Sequence, residues 1–360
     1  MKKITILAYY DRLSLFHSLK PFLFSKHSKY FKFTNSQDYV LNKDKNDILI
    51  MVRWFLKPDV VDLDFLKKAR KKYKRIAFFN GNAGGAINRP EVLPFVDLFY
   101  NKALFKDRNL YKKNFYGDEM FSEYHHIHHN IVDENPIIRN VIQHDDDIKK
   151  LRLSWNIGVT DFPNTKLRQR IGVLIARYLG PKFMKFLYHK DFWKGACQKN
   201  DFKKRVIHGR LGYPEKKTIA HQRRLIAEII KNNSIFLYGK VNQKQFNKEV
   251  KESMITLSPF GWGELCKRDF EAVYYRSLLL KPDMSHLETW PNIFIDGETY
   301  VSFKWDLSDM EEKALYYLNN DSKREEIINN AFNNYKEQLE MLDSRFETIL
   351  EEIIDEKIRG

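Results

Sequence analysis

One stretch, ESMITLSPFGWGELCKRDFEAVYYRSLLLKPDMSHLETWPNIF from Glu252 to Phe294, limits the fold of this chain more than any other. It reads as a buried strand over Met254–Leu257, a turn over Ser258–Gly263, a helix over Glu264–Arg276 and a second apolar strand over Leu278–Leu280. Strand, turn, helix, strand is the unit of a parallel α/β sheet, whose ligands sit in the crevice beyond the carboxyl ends of the strands. The turn lies at that edge, and the helix behind it points its N-terminal amides and positive dipole end at an arriving anion. With the helix starting at Glu264, the side chains of Glu264, Arg268 and Glu271 share one face. A diphosphate carrying a sugar and a ribose suits such a face.

The rest of the chain repeats the pattern. Strands are expected at Lys3–Ala8, Phe31–Phe33, Asp47–Val52, Arg75–Phe79 and Phe95–Tyr100. A lysine-rich helix is expected over Asp59–Lys72 and another over Ala103–Tyr111. Asp11 follows the first strand, where it is either a catalytic base facing a cleft or the cap of the helix from Ser14. The glycine-rich loop Asn80–Pro90 lacks both a P-loop and a dinucleotide fingerprint, and reads as a flexible loop on the acceptor side. In YHHIHHN, residues His125, His126, His128 and His129 are a metal cluster, a source of one cleft histidine acting on an acceptor, or a polar surface turn. No cysteine or HExxH arrangement completes a zinc pattern. His125 represents the catalytic alternative. A strand enters a turn over Lys149–Asn164, where Trp155 and Asn156 line a cleft or join the core. Lys166–Trp193 mixes basic, aromatic and aliphatic residues at helical spacing, as in a helix lying on an anionic bilayer or one packed between domains.

A break is expected near Lys194–Phe202. Beyond it come a strand at Arg205–Ile207, a cationic loop HGRLGYPEKK, a helix over His221–Lys231, a strand over Ile235–Tyr238 and a helix over Gln243–Ser253. In that loop Arg210 supplies a bidentate fork and Lys216 a mobile point charge for two phosphates. A strand at Tyr300–Phe303, a helix capped at Ser308 or Asp309, and a charged amphipathic helix over Lys323–Ile358 that packs across both lobes complete the chain.

At 360 residues the chain has room for two cores. Its 62 Lys+Arg against 47 Asp+Glu, a formal charge of +15, attract polyanions, anionic lipids or phosphorylated substrates without choosing among them. The aromatic content of 14% exceeds that of a disordered chain. Two cysteines make no disulfide framework, and no secretory signal or membrane-spanning run is visible. The expected location is therefore the cytoplasm, with any membrane contact peripheral and on the inner face of the cytoplasmic membrane.

Three blocks in order carry a family resemblance. HGRLGYPEKK is similar to a Gly-Arg-Leu and Glu-Lys loop, SPFGWGELCKRDFEA to a Pro-Ser, Gly and Phe-Glu-Ala block, and GETYVSF with WDLSDMEEKALYYLNND to a closing strand and helix. Together they resemble the two-lobed GT-B glycosyltransferases, in particular bacterial members of the group 1 and CgeB-like type, over roughly Arg205–Asp321. The resemblance implies an α/β fold of two Rossmann-like lobes with an inter-domain cleft and a long C-terminal helix. The units are an acceptor lobe over 1–200, a donor lobe over 201–322 and a helix over 323–360.

It also implies transfer of a sugar from a nucleotide-sugar donor to a glycan or lipid-linked acceptor, as in bacterial surface polysaccharide synthesis. Donor contacts fall on Arg210, Lys216, Gly261, Trp262, Gly263, Glu264, Arg268 and Glu271, with Glu271 on the ribose. Retaining group 1 enzymes place seven residues between two glutamates; Glu264 and Glu271 enclose six, so retention or inversion stays open. No metal and no cofactor beyond the co-substrate are implied, because fixed cations stabilise the leaving diphosphate. The competing readings are another two-lobed sugar-phosphate enzyme, a basic nucleic-acid-binding protein and a non-catalytic membrane-associated scaffold. The nucleic-acid reading lacks a recognisable motif, and the acidic residues are not segregated from a basic stripe.

Overall fold

A computed structural model describes residues 3–55, 60–136, 141–161, 165–199, 201–213 and 216–355. Asp59, Asn164, Pro214, Glu215 and Ile358, which bound or fall within expected segments, lie outside the described residues.

Two parallel sheets organise the chain. The first contains β1 (Ile4–Ala8), β2 (Phe31–Thr34), β3 (Ile48–Val52), β4 (Arg75–Phe79), β5 (Leu98–Asn101) and, after β6 (Ala103–Phe105), β7 (Leu151–Leu153), in the order β2-β1-β3-β4-β5-β7. Runs such as ITILA and ILIMV are buried along their whole length, as strands covered on both faces must be. The second contains β8 (Lys204–His208), β9 (Phe236–Leu237), β10 (Ser253–Leu257), β11 (Leu278–Pro282) and, after β12 (Leu287–Thr289), β13 (Val301–Phe303), in the order β13-β11-β10-β8-β9. The described helices are α1 (Lys20–Phe24), α2 (Leu63–Lys72), α3 (Met120–His129), α4 (Asp145–Ile148), α5 (Lys166–Tyr178), α6 (Lys217–Ile230), α7 (Gln243–Glu252), α8 (Lys267–Tyr274), α9 (Met310–Asn319), α10 (Asp321–Glu340) and α11 (Leu342–Ile354). Two Rossmann-like lobes result.

Three expectations need correction. The helix expected over Ala103–Tyr111 is β6 followed by a short turn of helix; β6 pairs antiparallel with β12, Leu287 opposite Phe105, so its strand character comes from a partner in the other lobe. YHHIHHN is not a surface turn but the end of α3, which stops where Asn130 takes a left-handed backbone (φ 52°). The C-terminal helix is not single: it breaks at Met341 into α10, which lies against α8 and β11, and α11, which packs on the first sheet. Phe346 of α11 meets Phe22 and Trp155, and the Arg75 guanidinium donates to the Ile353 carbonyl at 3.2 Å. The pair spans both lobes.

One apolar cluster is shared by the lobes, joining Phe78, Phe99 and Phe105 to Phe260, Phe270 and Leu279. The carboxyl ends of β4 and β10 consequently meet across a packed seam.

Candidate functional site

At the carboxyl end of β10, the geometry starts from Asp269. Its Oδ2 accepts from the Cys266 amide at 2.8 Å, while Oδ1 accepts from Ser258 Oγ at 2.5 Å and from Lys281 Nζ at 3.2 Å. Asp269 and Lys281 are both fully buried, and burial raises the Asp269 pKa against the pull of Lys281. This network makes Cys266 the cap and starts α8 at Lys267, three residues later than the composition suggests. Glu264 is therefore not helical, and the face expected to join it to Arg268 and Glu271 does not form.

Arginines ring the loop. Arg223, on α6, donates from Nε to the Phe260 carbonyl and from Nη1 to the Gly212 carbonyl, both at 2.7 Å. Arg268 is half-buried and donates to the Leu257 carbonyl at 3.2 Å and to the Arg210 carbonyl at 2.6 Å. Burial first, and Arg223 second, lower the Arg268 pKa to about 10, so it stays charged near neutrality. Neither arginine forms an ion pair within 4 Å among the described residues. Four carbonyl oxygens thus orient two guanidinium groups without neutralising them.

The expected donor residues divide. Arg210 is not an open clamp: its Nε and Nη2 close a fork on Glu249 at 2.8 and 2.9 Å, and Nη1 donates to the Tyr238 carbonyl. Glu271 pairs with Lys267 at 2.9 Å instead of standing open for a ribose. Lys216 is half-buried at the start of α6. The Gly261 amide is taken by the Gly263 carbonyl at 3.1 Å, and Gly263 abuts the Ala83 backbone so closely that a Cβ would fall 2.7 Å from its carbonyl carbon. Trp262 is 64% exposed on the loop. Arg223 was not legible in sequence, because in HQRR it reads as one more solvated helix cation.

Glu264 lies in the seam. Its Oε2 accepts from the Gly85 amide at 3.0 Å, and Oε1 lies 3.3 Å from His286 Nε2. Glu119 faces it. Burial, then the Glu264 charge, push the Glu119 pKa well above the ordinary carboxylate range, which favours its protonated form. The glycine-rich loop makes room: a Cβ on Gly84 would fall 2.5 Å from Glu119 Oε2 and closer still to Glu264 Oε2. The loop is thus a close-approach surface between lobes. His125, expected at an acceptor, is instead 1% exposed, with Nδ1 2.9 Å from the Thr218 carbonyl. Burial lowers its pKa to about 4, so it is a neutral packing group joining α3 to α6 and has no route to an acceptor hydroxyl in this conformation. Among the described residues, no three His, Cys, Asp or Glu side chains gather as metal ligands.

Opposite, at the carboxyl edge of the first sheet, Asp11 caps the turn after β1 by accepting from the Ser14 amide at 2.7 Å, and lies 3.8 Å from Arg53. Its side chain remains 37% exposed, so capping leaves it reachable. Arg53 sits in the left-handed region (φ 55°), a conformation that costs a non-glycine residue about 1–3 kcal/mol and collects at functional sites. Behind it Lys102 is buried, donating to the Gly81 carbonyl at 3.2 Å, and burial followed by Arg53 lowers its pKa. Asp11 opens onto a groove lined also by Arg12, Arg170, Val173, Leu174 and Arg177. Trp155 belongs to the core, and Asn156 is buried with its amide on the Pro291 carbonyl.

No protein-family model matches the sequence, and no curated protein matches it. Among solved structures, the chain is similar to an alpha-glucosyltransferase in complex with UDP, over 99% of this chain and 100% of that one, at 9% identity and a TM-score of 0.46. It is also similar to TarM, over 89% of this chain and 58% of that one, at 12% identity and a TM-score of 0.47. A third similar structure is T4 phage BGT in complex with UDP and Mn2+, over 98% and 99% of the two chains, at 14% identity and a TM-score of 0.43.

Proposed function

We propose that this protein transfers a glycosyl group from a nucleotide-sugar donor to a glycan or lipid-linked acceptor, as in the assembly of a bacterial surface polysaccharide. The observation that carries the reading is the pair Arg223 and Arg268, hydrogen-bonded among the described residues to backbone carbonyls at the carboxyl edge of β8 and β10. Two guanidinium groups without a carboxylate partner among the described residues form a preorganised positive field for a leaving diphosphate. Exposed Trp262 offers a stacking face for a base beside them. Glu264 lies where the carboxyl edges of both lobes converge, suited to face positive charge developing at the anomeric carbon once the seam parts. Asp11 is the acid on the opposite edge that can take the acceptor hydroxyl's proton. No residue of this set requires a metal or a further cofactor.

The test is a thermal-shift panel of nucleoside diphosphates and nucleotide sugars on the full chain. At least one diphosphate should stabilise it, and Arg223→Ala should weaken that binding roughly 10- to 100-fold, the worth of a charge-assisted contact. Stabilisation that is absent for every base, or untouched by Arg223→Ala, would sink the reading. Oligonucleotide binding with a steep salt slope and no nucleotide effect would favour the nucleic-acid alternative.

A further inference from the structure

The helix α5 is apolar on more than the face it buries: Val173 and Ile175 pack on the core, yet large apolar side chains also stand in water. Its inward face carries Gly172 and Ala176, with Gly172 so close to Phe16 that a Cβ would fall 2.7 Å from that ring. Its outward face carries Leu167, Ile171, Leu174 and Tyr178, spaced at four, three and four residues and exposed at 69%, 40%, 54% and 84%. The chain then turns at Leu179 and Gly180 into the short helical segment Pro181–Leu187, which packs beside α5 and adds Phe183 and Phe186, exposed at 63% and 72%. A surface of this kind is costly to leave in water and marks a docking site.

Charge identifies the occupant. Between Lys166 and Lys194 there are eight lysines and arginines and one acid, Asp191. Lys182 and Lys185 flank the phenylalanines, each with its ammonium over an aromatic ring, Phe33 at 5.8 Å and Phe24 at 5.7 Å. Apolar side chains projecting from a cationic rim match the acyl boundary and phosphate layer of an anionic bilayer. A second copy of this face is disfavoured, because a two-fold contact sets the same cations against one another. A nucleic-acid backbone would satisfy the cations and leave the apolar tips in water.

We infer that α5 and Pro181–Leu187 form a peripheral docking surface for a membrane containing anionic phospholipid. Arg170, Leu174 and Arg177 belong both to this surface and to the groove that Asp11 opens onto. Resting on the glycosyl-transfer reading, docking therefore brings the acceptor groove to the head-group layer and favours a lipid-linked acceptor over a free glycan. Among the described residues no helix is long and apolar enough to cross a membrane.

The experiment is co-sedimentation of the full chain with vesicles of phosphatidylcholine, with and without phosphatidylglycerol. Binding should require phosphatidylglycerol and weaken with salt. The pair Lys182→Gln and Lys185→Gln should lower the partition coefficient roughly tenfold or more. The pair Phe183→Ser and Phe186→Ser should lower it roughly a hundredfold. Both variants should keep the nucleoside-diphosphate thermal shift, which shows that they are folded. Absence of binding, equal binding to neutral vesicles, or binding indifferent to the phenylalanines would overturn the inference. So would a dimer in solution that the phenylalanine variant dissociates. Vesicle binding without any nucleotide effect would leave docking standing and remove the glycosyl-transfer reading.

Discussion

Replacing Glu119 with Gln tests the seam. Glu119 is 4% exposed, and burial with the neighbouring Glu264 charge raises its pKa well above the ordinary 4.5. Native protein therefore keeps a proton that the unfolded chain releases above pH 4.5. With more protons bound in the native state, stability falls as pH rises, by ~1.4 kcal/mol per pH unit until the native pKa is passed. Gln stays neutral at every pH and can still donate to Glu264, so the variant lacks this slope. As pH rises from about 5 towards 7 the variant should therefore gain on the parent, at that slope for as long as Glu119 keeps its proton in the native state. At about 2.1 cal/mol/K of unfolding entropy per residue, each ~1.4 kcal/mol gained is a relative rise in Tm of roughly 2 °C. Comparing the two proteins at each pH cancels titrations they share. The measurement is Tm by calorimetry or intrinsic fluorescence across that range. Parallel curves would refute a shared proton in the seam.

Three further outcomes follow from the same geometry. Gly84→Ala should destabilise by about 1–3 kcal/mol, because the new Cβ collides with both carboxylates; an unchanged urea midpoint would show that the loop can move away. His208 is fully buried with no side-chain hydrogen-bond partner among the described residues, and burial followed by Arg268 lowers its pKa to about 3. Below about pH 6.5 the unfolded chain takes up a proton that the native state refuses, so at pH 5 His208→Leu should recover about 2 kcal/mol relative to pH 7, read from urea unfolding at both pH values. Arg210→Ala should cost about 3–5 kcal/mol of stability by taking the cation from Glu249, itself 7% exposed and left with the Gln245 amide as donor, with the loss partly relieved in the double variant with Glu249→Gln; a neutral single variant would mean that the fork is not a structural tie.

Strand positions were legible because a parallel strand covered on both faces must be apolar throughout. RIAFF and ILIMV have few other uses in a folded chain. The two-lobed α/β class follows from repeating that pattern with amphipathic helices between. Partnership was not legible. ALF at Ala103–Phe105 becomes a strand only because Leu287–Thr289 arrives from the other lobe. Arg210, Arg223 and Arg268 look alike along the chain, yet Glu249 neutralises the first while backbone carbonyls orient the others. A carbonyl aims a cation without cancelling its charge, and which residue meets a carbonyl is decided by distances that only the folded chain sets. Likewise, the sequence alone shows that α5 has an apolar stripe, whereas the buried glycine and alanine behind it show that the stripe faces outward. Residue order determines what each segment can bury; tertiary packing decides which charges and apolar faces remain for a ligand.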